Sequence, residues 1–172
     1  MKITIFGLAG TGKSTAGKMV ALKLDYAYMS TGNIFRDMAR DHNMTLNEFE
    51  EFTKTDEKYD RNLDEITVTN YGKENDNFVF ESRLAWHFIP DSIKIRLFCD
   101  DDTRMQRIAN RENKNFEQVV GETKEREKII YEKYKKLYGL ENINNPDNFD
   151  LNIDTTTNDA NKVVEMILEF VK

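Results

Sequence analysis

The chain has 172 residues, of which 39% are hydrophobic and 33% charged, and its formal net charge at pH 7 is −6. This size and composition predict one soluble globular domain, and the acidic balance argues against a nucleic-acid-binding protein, which normally presents a basic surface. The sequence lacks a long apolar run, a signal peptide and a second cysteine beside Cys99, so we expect a cytoplasmic protein with no membrane partner and no internal disulfide.

The first part of the chain is predicted to begin with two short strands and to continue with helices. The strands are predicted at residues 2–6 and 26–29. The helices are predicted at residues 13–24 and 34–41, from the capping box at 45–48 onward, and at 56–71, from their helical periodicity. Thr45 and Glu48 form a capping box that opens the third of these helices and places Phe49 and Phe52 on its inner face.

The second part of the chain alternates strands with helices after a turn predicted at residues 72–77. The strands are predicted at residues 78–80, 93–98 and 151–153. The helices are predicted at residues 101–111, 116–138 and 159–171. Asp101 or Asp102 is expected to cap the first of these helices, Asn115 to cap the second, and Gly139 to end the second in the left-handed conformation.

Strands separated by helices indicate an α/β fold with a five-stranded parallel sheet joined by right-handed crossovers. We expect a single domain over residues 1–172. The helical stretch over residues 30–72 lies between two strands, and we interpret it as an insertion at the carboxyl end of the sheet, where ligands bind in such folds. The remaining core is expected to comprise residues 1–29, 77–103 and 140–172.

Residues 7–14, with the sequence GLAGTGKS, match the G-x-x-x-x-G-K-[ST] pattern of a P-loop between a predicted strand and a predicted helix. Its glycines allow backbone N–H groups to curl around phosphate oxygens, and the helix N-terminus adds positive potential. Lys13 would reach the β- and γ-phosphates, and the Ser14 hydroxyl would ligate Mg²⁺. The motif predicts a nucleoside triphosphate ligand, ATP with Mg²⁺, and the alternative is a chance glycine turn.

A P-loop alone does not name a reaction, because GTPases, ATPases and small-molecule kinases share it. Residues 113–116 read NKNF, with Phe116 where the guanine-reading motif N-K-x-D needs aspartate, and this argues against a GTPase. No apolar strand ending in Asp-Glu is present in the sequence, and this argues against a motor ATPase.

Arg104, Arg107 and Arg111 stand at i, i+3 and i+7, which places them on one face of a predicted helix. Phosphoryl transfer requires several converging cations, and arginine binds phosphate in a bidentate manner. We therefore interpret this face as phosphate-binding. The alternative is a solvated basic stripe paired with nearby carboxylates.

Four further residues are candidates for the same site. Arg83 directly follows the strand that ends near Glu81, and Glu81 could orient the water shell of Mg²⁺. The alternatives for Glu81 are a helix N-cap or an exposed strand end. On the long helix, Arg126 and Lys133 are seven residues apart and near one face, whereas the other charges, Glu127 among them, are interpreted as a solvated surface.

These segments together resemble nucleoside monophosphate kinases, and most closely the archaeal-type cytidylate kinases, nearly from end to end. The matching segments are the P-loop, STGNIFR at 30–36, DRNLD at 60–64, ESRLA at 81–85, RMQRIANRE at 104–112, TKERE at 123–127, KY at 133–134, YG at 138–139 and DLNIDT at 150–155. The P-loop is generic, whereas the arginine-rich helix followed by the Tyr-Gly run is specific to this family.

The resemblance implies a cytoplasmic monomer that transfers the γ-phosphoryl group of ATP to CMP or dCMP, with a mobile lid over residues 104–139. The implied ATP-binding residues are Gly7, Leu8, Ala9, Gly10, Thr11, Gly12, Lys13, Ser14, Thr15, Arg107 and Arg111. The implied acceptor-binding residues are Ser30, Gly32, Arg36, Arg61, Asp64, Glu81, Arg83 and Lys133. The implied catalytic residues are Lys13, Arg83, Arg107, Arg111 and Arg126, with Mg²⁺ held by Ser14 and, through water, by Glu81.

Two positions depart from the family pattern. Ser82 stands where the family has glycine, and Lys133 replaces an arginine and loses its bidentate fork. Both put the rate or the acceptor preference in doubt, but not the fold. Two alternatives therefore stay open: a kinase for AMP, UMP or a small non-nucleotide alcohol, and a non-catalytic nucleotide-binding protein on the same fold.

Overall fold

Five strands in the part of the chain that the structure describes form one sheet, and all of them are parallel. A computed structural model describes residues 1–45, 48, 49, 52, 65 and 67–172. The strands are β1 (Lys2–Phe6), β2 (Ala27–Ser30), β3 (Phe78–Glu81), β4 (Ile93–Phe98) and β5 (Leu151–Asp154). They are ordered β2-β3-β1-β4-β5, with Ile3 of β1 opposite Val79 on one side and Ile93 on the other. The predicted fold class is confirmed.

Helices cover both faces of this sheet. Those in the described residues are α1 (Lys13–Leu24), α2 (Thr31–Asp41), α3 (Val68–Glu74), α4 (Ala85–Phe88), α5 (Asp101–Glu112), α6 (Phe116–Tyr138) and α7 (Ala160–Phe170), with a 3₁₀ turn at Pro146–Asn148. None of the described helices combines the length and the apolar character that crossing a membrane requires.

Alternation along β1 divides the core into two layers. Ile3 packs on one face of the sheet with Val20 of α1 and Val164 of α7. Phe6 points to the other face, where its ring lies 5.1 Å from that of Phe149. Because the strands are parallel, their carboxyl ends lie at the same edge of the sheet. The segments with phosphate-binding motifs leave the sheet at this edge.

The structure corrects the predicted N-cap of α5. Asp100, and not one of the two aspartates that follow it, is the cap: its backbone is extended (φ −61°, ψ 153°) and its carboxylate accepts the Thr103 N–H at 2.8 Å. The turn predicted to begin at Gly72 is also wrong, because Gly72 lies inside α3. A Cβ at Gly72 would come within 2.8 Å of Ile89, so this glycine is used for close packing.

The predictions for residues 45–71 have mixed outcomes. The capping box is confirmed, since the Thr45 N–H donates to the Glu48 carboxylate at 2.7 Å and the Glu48 N–H donates to Thr45 Oγ1 at 3.3 Å. Phe49 is fully buried as predicted, but Phe52 is 40% exposed, so its assignment to the inner face is wrong. Most of the helix predicted at residues 56–71 lies outside the described residues.

Candidate active site

The P-loop joins the end of β1 to the start of α1 in a conformation that requires glycine at two positions. Gly10 and Gly12 both have φ of 83°, in the left-handed region. A Cβ at Gly10 would also lie 2.3 Å from the carbonyl oxygen of Arg104. The loop is fixed by the Thr11 hydroxyl, which donates to the Leu8 carbonyl at 2.9 Å. The first turn of α1 is thereby presented as an anion-binding N-terminus.

Lys13 forms a buried ion pair beside this loop. Its ammonium lies 3.7 Å from the Glu81 carboxylate, and the two side chains are 18% and 8% exposed. The Tyr28 hydroxyl donates to the other carboxylate oxygen and also interacts with Ser14 and Ser30. Burial lowers the pKa of Lys13, and the charge of Glu81 opposes that effect. Glu81 is therefore not an exposed strand end, and Tyr28 is a site residue that the sequence did not reveal.

A first cavity, of about 270 Å³, opens between the P-loop, α5 and the start of α7. The polar side chains that line it include Thr11, Thr15, Arg107, Thr155 and Asn158. Arg107 donates to the Thr155 carbonyl at 2.6 Å, and the Thr155 hydroxyl donates to the Thr11 carbonyl at 3.0 Å. We call this space the Arg107 cavity. Arg107 and the P-loop, predicted to share one ligand, thus line the same space.

A second cavity, of about 160 Å³, lies on the other side of α5. Arg83 from the loop after β3, Arg111 from α5 and Arg126 from α6 line it together with Ala9 of the P-loop. Arg111 is 65% exposed and is paired with Glu112 at 2.9 Å. We call this space the Arg111 cavity. Three predicted catalytic arginines from separate elements therefore converge next to the P-loop.

The three arginines of this helix have different environments, although they are close in helical phase: Arg107 and Arg111 line different cavities, and Arg104 lines neither. Its side chain is 3% exposed, and its guanidinium makes two parallel hydrogen bonds to Glu127, at 2.7 and 3.0 Å, and a third to Asp101 at 2.8 Å. The interpretation of the three arginines as one phosphate-binding face is therefore wrong for Arg104. Glu127, interpreted from sequence as part of a solvated surface, is the buried partner.

The predicted acceptor residues are described only in part. Ser30 is buried at the end of β2, and Arg36 is exposed on α2, where its guanidinium donates to Asn33 at 2.7 Å. Gly32 lies in the first turn of α2, and a Cβ there would lie 3.8 Å from the Arg36 guanidinium. Lys133 lies 5.9 Å from the Tyr134 ring and lines neither cavity. Arg61 and Asp64 lie outside the described residues.

The serine that departs from the family pattern has a structural role. Ser82 is buried, and its hydroxyl accepts the Leu84 N–H at 3.1 Å. The Arg83 carbonyl accepts the Trp86 indole N–H at 3.0 Å. The loop that carries Arg83 is thus held by two hydrogen bonds, one of which a glycine could not make.

Hydroxyl and carboxylate oxygens are the candidate donors for a metal ion. Within the described ranges no group of three or more His, Cys, Asp or Glu side chains could hold one. Ser14 is exposed at the start of α1, and Tyr28 connects it to the Glu81 carboxylate. These donors fit Mg²⁺, which prefers oxygen and completes its coordination with water and substrate phosphates.

The chain is similar to known proteins both in sequence and in fold. Residues 2–157 match the model of the cytidylate kinase-like family. The cytidylate kinase of Archaeoglobus fulgidus is 37% identical over 173 residues, covering 100% of this chain and 95% of the relative, and that of Methanosphaera stadtmanae is 34% identical, covering 100% and 98%. A shikimate kinase structure from Bacteroides thetaiotaomicron shares the fold, with a TM-score of 0.67 at 17% identity and coverage of 99% and 98%. The chain therefore belongs to the cytidylate kinase-like family.

Proposed function

We propose that this protein transfers the γ-phosphoryl group of ATP to CMP or dCMP, giving the nucleoside diphosphate and ADP. The observation that carries the proposal is the convergence of Arg83, Arg111 and Arg126 on one cavity beside the P-loop. Glu112, Glu122 and Glu127 also line this space, so its arginines would exchange carboxylates for phosphates when nucleotides bind. Cations from three elements then suit a reaction that holds two polyanions together and neutralises charge developing between them. The names of the relatives support a cytidine nucleotide as acceptor.

The donor nucleotide would occupy the P-loop and the Arg107 cavity. The β- and γ-phosphates would lie against the loop N–H groups and Lys13, which would exchange its pairing with Glu81 for phosphate. The base and ribose would lie near Arg107 and Thr155. A volume of about 270 Å³ suits part of a nucleotide, with the phosphates outside it.

The acceptor phosphate would lie between Arg83 and Arg36, and Glu81 and Ser30 would border it. Arg36 now donates to the neutral Asn33 amide, a partner that a phosphate can displace because a hydrogen bond between two charged groups is stronger than one to a neutral acceptor. Lys133, Arg61 and Asp64 stay in the proposal as acceptor residues on the family pattern alone.

The transfer step would depend on positioning and charge. Arg111 and Arg126 would neutralise the transferring group, and Arg111 would leave Glu112 to do so. Arg107, predicted to act with them, lines the other cavity and would act on the donor side. Mg²⁺, held by Ser14 and through water by Glu81, would supply charge neutralisation at the β- and γ-phosphates. Closure of residues 104–139 as a lid would exclude water from this space. A cytoplasmic monomer without membrane or nucleic-acid partners is part of the proposal.

The test is ADP formation with a panel of acceptors: CMP, dCMP, UMP, AMP and shikimate. We expect turnover that depends on Mg²⁺ and is fastest with CMP or dCMP. Turnover with AMP, UMP or shikimate alone would show that this compound, and not CMP or dCMP, is the acceptor. Tight ATP binding without turnover on any acceptor would indicate a non-catalytic protein. No turnover with any pyrimidine monophosphate would contradict the proposal.

Two lysines of α1 provide a test of the site and a matched control. Lys13→Ala should abolish measurable turnover, because the lysine that clamps the donor phosphates is lost. Lys23→Ala, an exposed lysine in the last turn of α1, should leave turnover unchanged. Full activity in the Lys13 variant would contradict the assigned role of the P-loop.

A further inference from the structure

Arg104 connects two helices through a buried ion pair. Its side chain is 3% exposed, and that of Glu127, 23 residues later on α6, is 12% exposed. The two parallel hydrogen bonds between them, at 2.7 and 3.0 Å, fix the relative orientation of the guanidinium and the carboxylate. The pair therefore links α6 to α5 at this level.

The same residue also contacts the P-loop through its backbone. The ideal Cβ position of Gly10 is 2.3 Å from the Arg104 carbonyl oxygen and 2.9 Å from its Cβ, so the loop and α5 touch at this point. Arg104 is thus the place where the P-loop, α5 and α6 meet. Met105 and Ile108 of α5 pack with Val119 of α6 beyond it.

The donors of Arg104 are occupied by two carboxylates. Its Nε bonds to Asp101, and its two terminal nitrogens bond to Glu127. Loss of Glu127 would leave this buried arginine with the exposed Asp101 as its remaining carboxylate partner, which is costly for a buried charge. The residue next to Glu127 is Arg126, which lines the Arg111 cavity.

We propose that Arg104 is a positioning residue and not a phosphate ligand: its ion pair with Glu127 holds α6 so that Arg126 faces the P-loop across the Arg111 cavity. The inference rests on the proposed function, because it assigns the pair a purpose in phosphoryl transfer. If the ion pair acts through Arg126, loss of the pair should lower the rate of the chemical step more than it weakens nucleotide binding.

The test compares Glu127→Gln, Arg104→Met and the double variant Arg104→Met/Glu127→Leu. Misplacing a catalytic group by about 1 Å can cost about 100-fold, so we expect kcat to fall about 10-fold to 100-fold in Glu127→Gln while KM for ATP stays within about threefold. The double variant should lose no more kcat than the worse single variant, since both single changes break one unit. If Arg104 bound phosphate, Glu127→Gln would release it and keep kcat, whereas Arg104→Met would raise KM for ATP. That outcome would overturn the inference.

A matched control and a second readout keep the test decisive. Lys135→Met removes an exposed ion pair with Glu141, 2.7 Å long, near the end of the same helix, and should leave kcat unchanged. Hydrogen exchange at residues 119–127 should be faster in Glu127→Gln than in the wild type and unchanged in Lys135→Met. Should Arg104→Met fail to fold, the near-isosteric Glu127→Gln carries the comparison.

The two proposals fail in different ways. A wild-type protein without turnover on any acceptor removes the proposed function, and the exchange comparison still reports whether the pair holds α6. Wild-type turnover together with unchanged kcat and unchanged exchange in Glu127→Gln overturns the inference alone.

Discussion

Replacing Glu81 by glutamine tests the electrostatics of the P-loop lysine. The Glu81 carboxylate lies 3.7 Å from the Lys13 ammonium, and both side chains are largely buried. At an effective dielectric constant of about 20, two unit charges at this distance attract by about 4 kcal/mol. Burial lowers the pKa of Lys13 below its usual value of 10.5, and the Glu81 charge opposes that effect. We therefore expect Glu81→Gln to lower the pKa of Lys13 further, because the opposing charge is lost.

The assay is the pH dependence of kcat/KM for ATP, which reports ionisations of the free enzyme. Its alkaline limb, where Lys13 loses its proton, should move toward neutral pH in Glu81→Gln. Asp91→Asn is the control, because it breaks an exposed ion pair with Lys2, 2.7 Å long, away from the site, and should not move the limb. An alkaline limb that stays in place in Glu81→Gln would refute this reasoning.

Glu81→Gln should also lower the stability of the folded protein, and the pH dependence of this loss can be worked out. Removing one partner of a buried ion pair costs about 3 kcal/mol. In the folded protein the charged form of Lys13 is the disfavoured one, since its folded pKa lies below the unfolded value. The stability deficit of Glu81→Gln is therefore complete below the folded pKa of Lys13 in the variant, and it shrinks as the pH rises from there to the higher folded pKa of Lys13 in the wild type. Thermal melting at several pH values measures this.

Three further predictions concern single hydrogen-bonding groups. Thr155→Val removes the hydroxyl that links Arg107 to the P-loop, and should raise KM for ATP about threefold to tenfold while kcat stays within about twofold in steady-state kinetics. Unchanged KM would contradict this link. Tyr28→Phe removes the hydroxyl that donates to the Glu81 carboxylate, and should raise the Mg²⁺ concentration that gives half-maximal turnover severalfold. Tyr71→Phe is the control and should not change this concentration. Equal effects of the two variants would contradict the role of Tyr28. Asn115→Ala removes the side chain that caps α6 by accepting two N–H groups of its first turn. The loss of about 1 kcal/mol should lower the melting temperature by about 2–4 °C. A change of less than about 1 °C would contradict the role of this cap.

Local patterns were sufficient for the strands and for the P-loop. The apolar runs and the spacing of glycines are properties of neighbouring residues, so residues 2–6, 13–24 and 93–98 are predicted within a residue of their observed bounds. The spatial order β2-β3-β1-β4-β5 is a set of pairings between distant segments and has no local signal. The cap of α5 shows the same limit, because three consecutive aspartates can cap and only backbone geometry selects Asp100.

The sequence indicated which residues belong to the candidate site better than it indicated which residues they contact. Helical spacing correctly placed Arg104 and Arg107 on one element, but burial by a second helix separates their roles. Glu127 and Thr155 were not recognised as site residues, since their partners lie 23 and 48 residues away along the chain. Thr155 does follow a strand at its carboxyl end, and this position could have marked it as a candidate.

The central claim is that two nucleotides meet at the P-loop and exchange a phosphoryl group. The most direct measurement follows the label from γ-³²P-ATP with Mg²⁺ and CMP. The account predicts label in CDP, no transfer in Lys13→Ala, and little release of inorganic phosphate when CMP is omitted. Label that appears only as inorganic phosphate, at a rate independent of CMP, would contradict it.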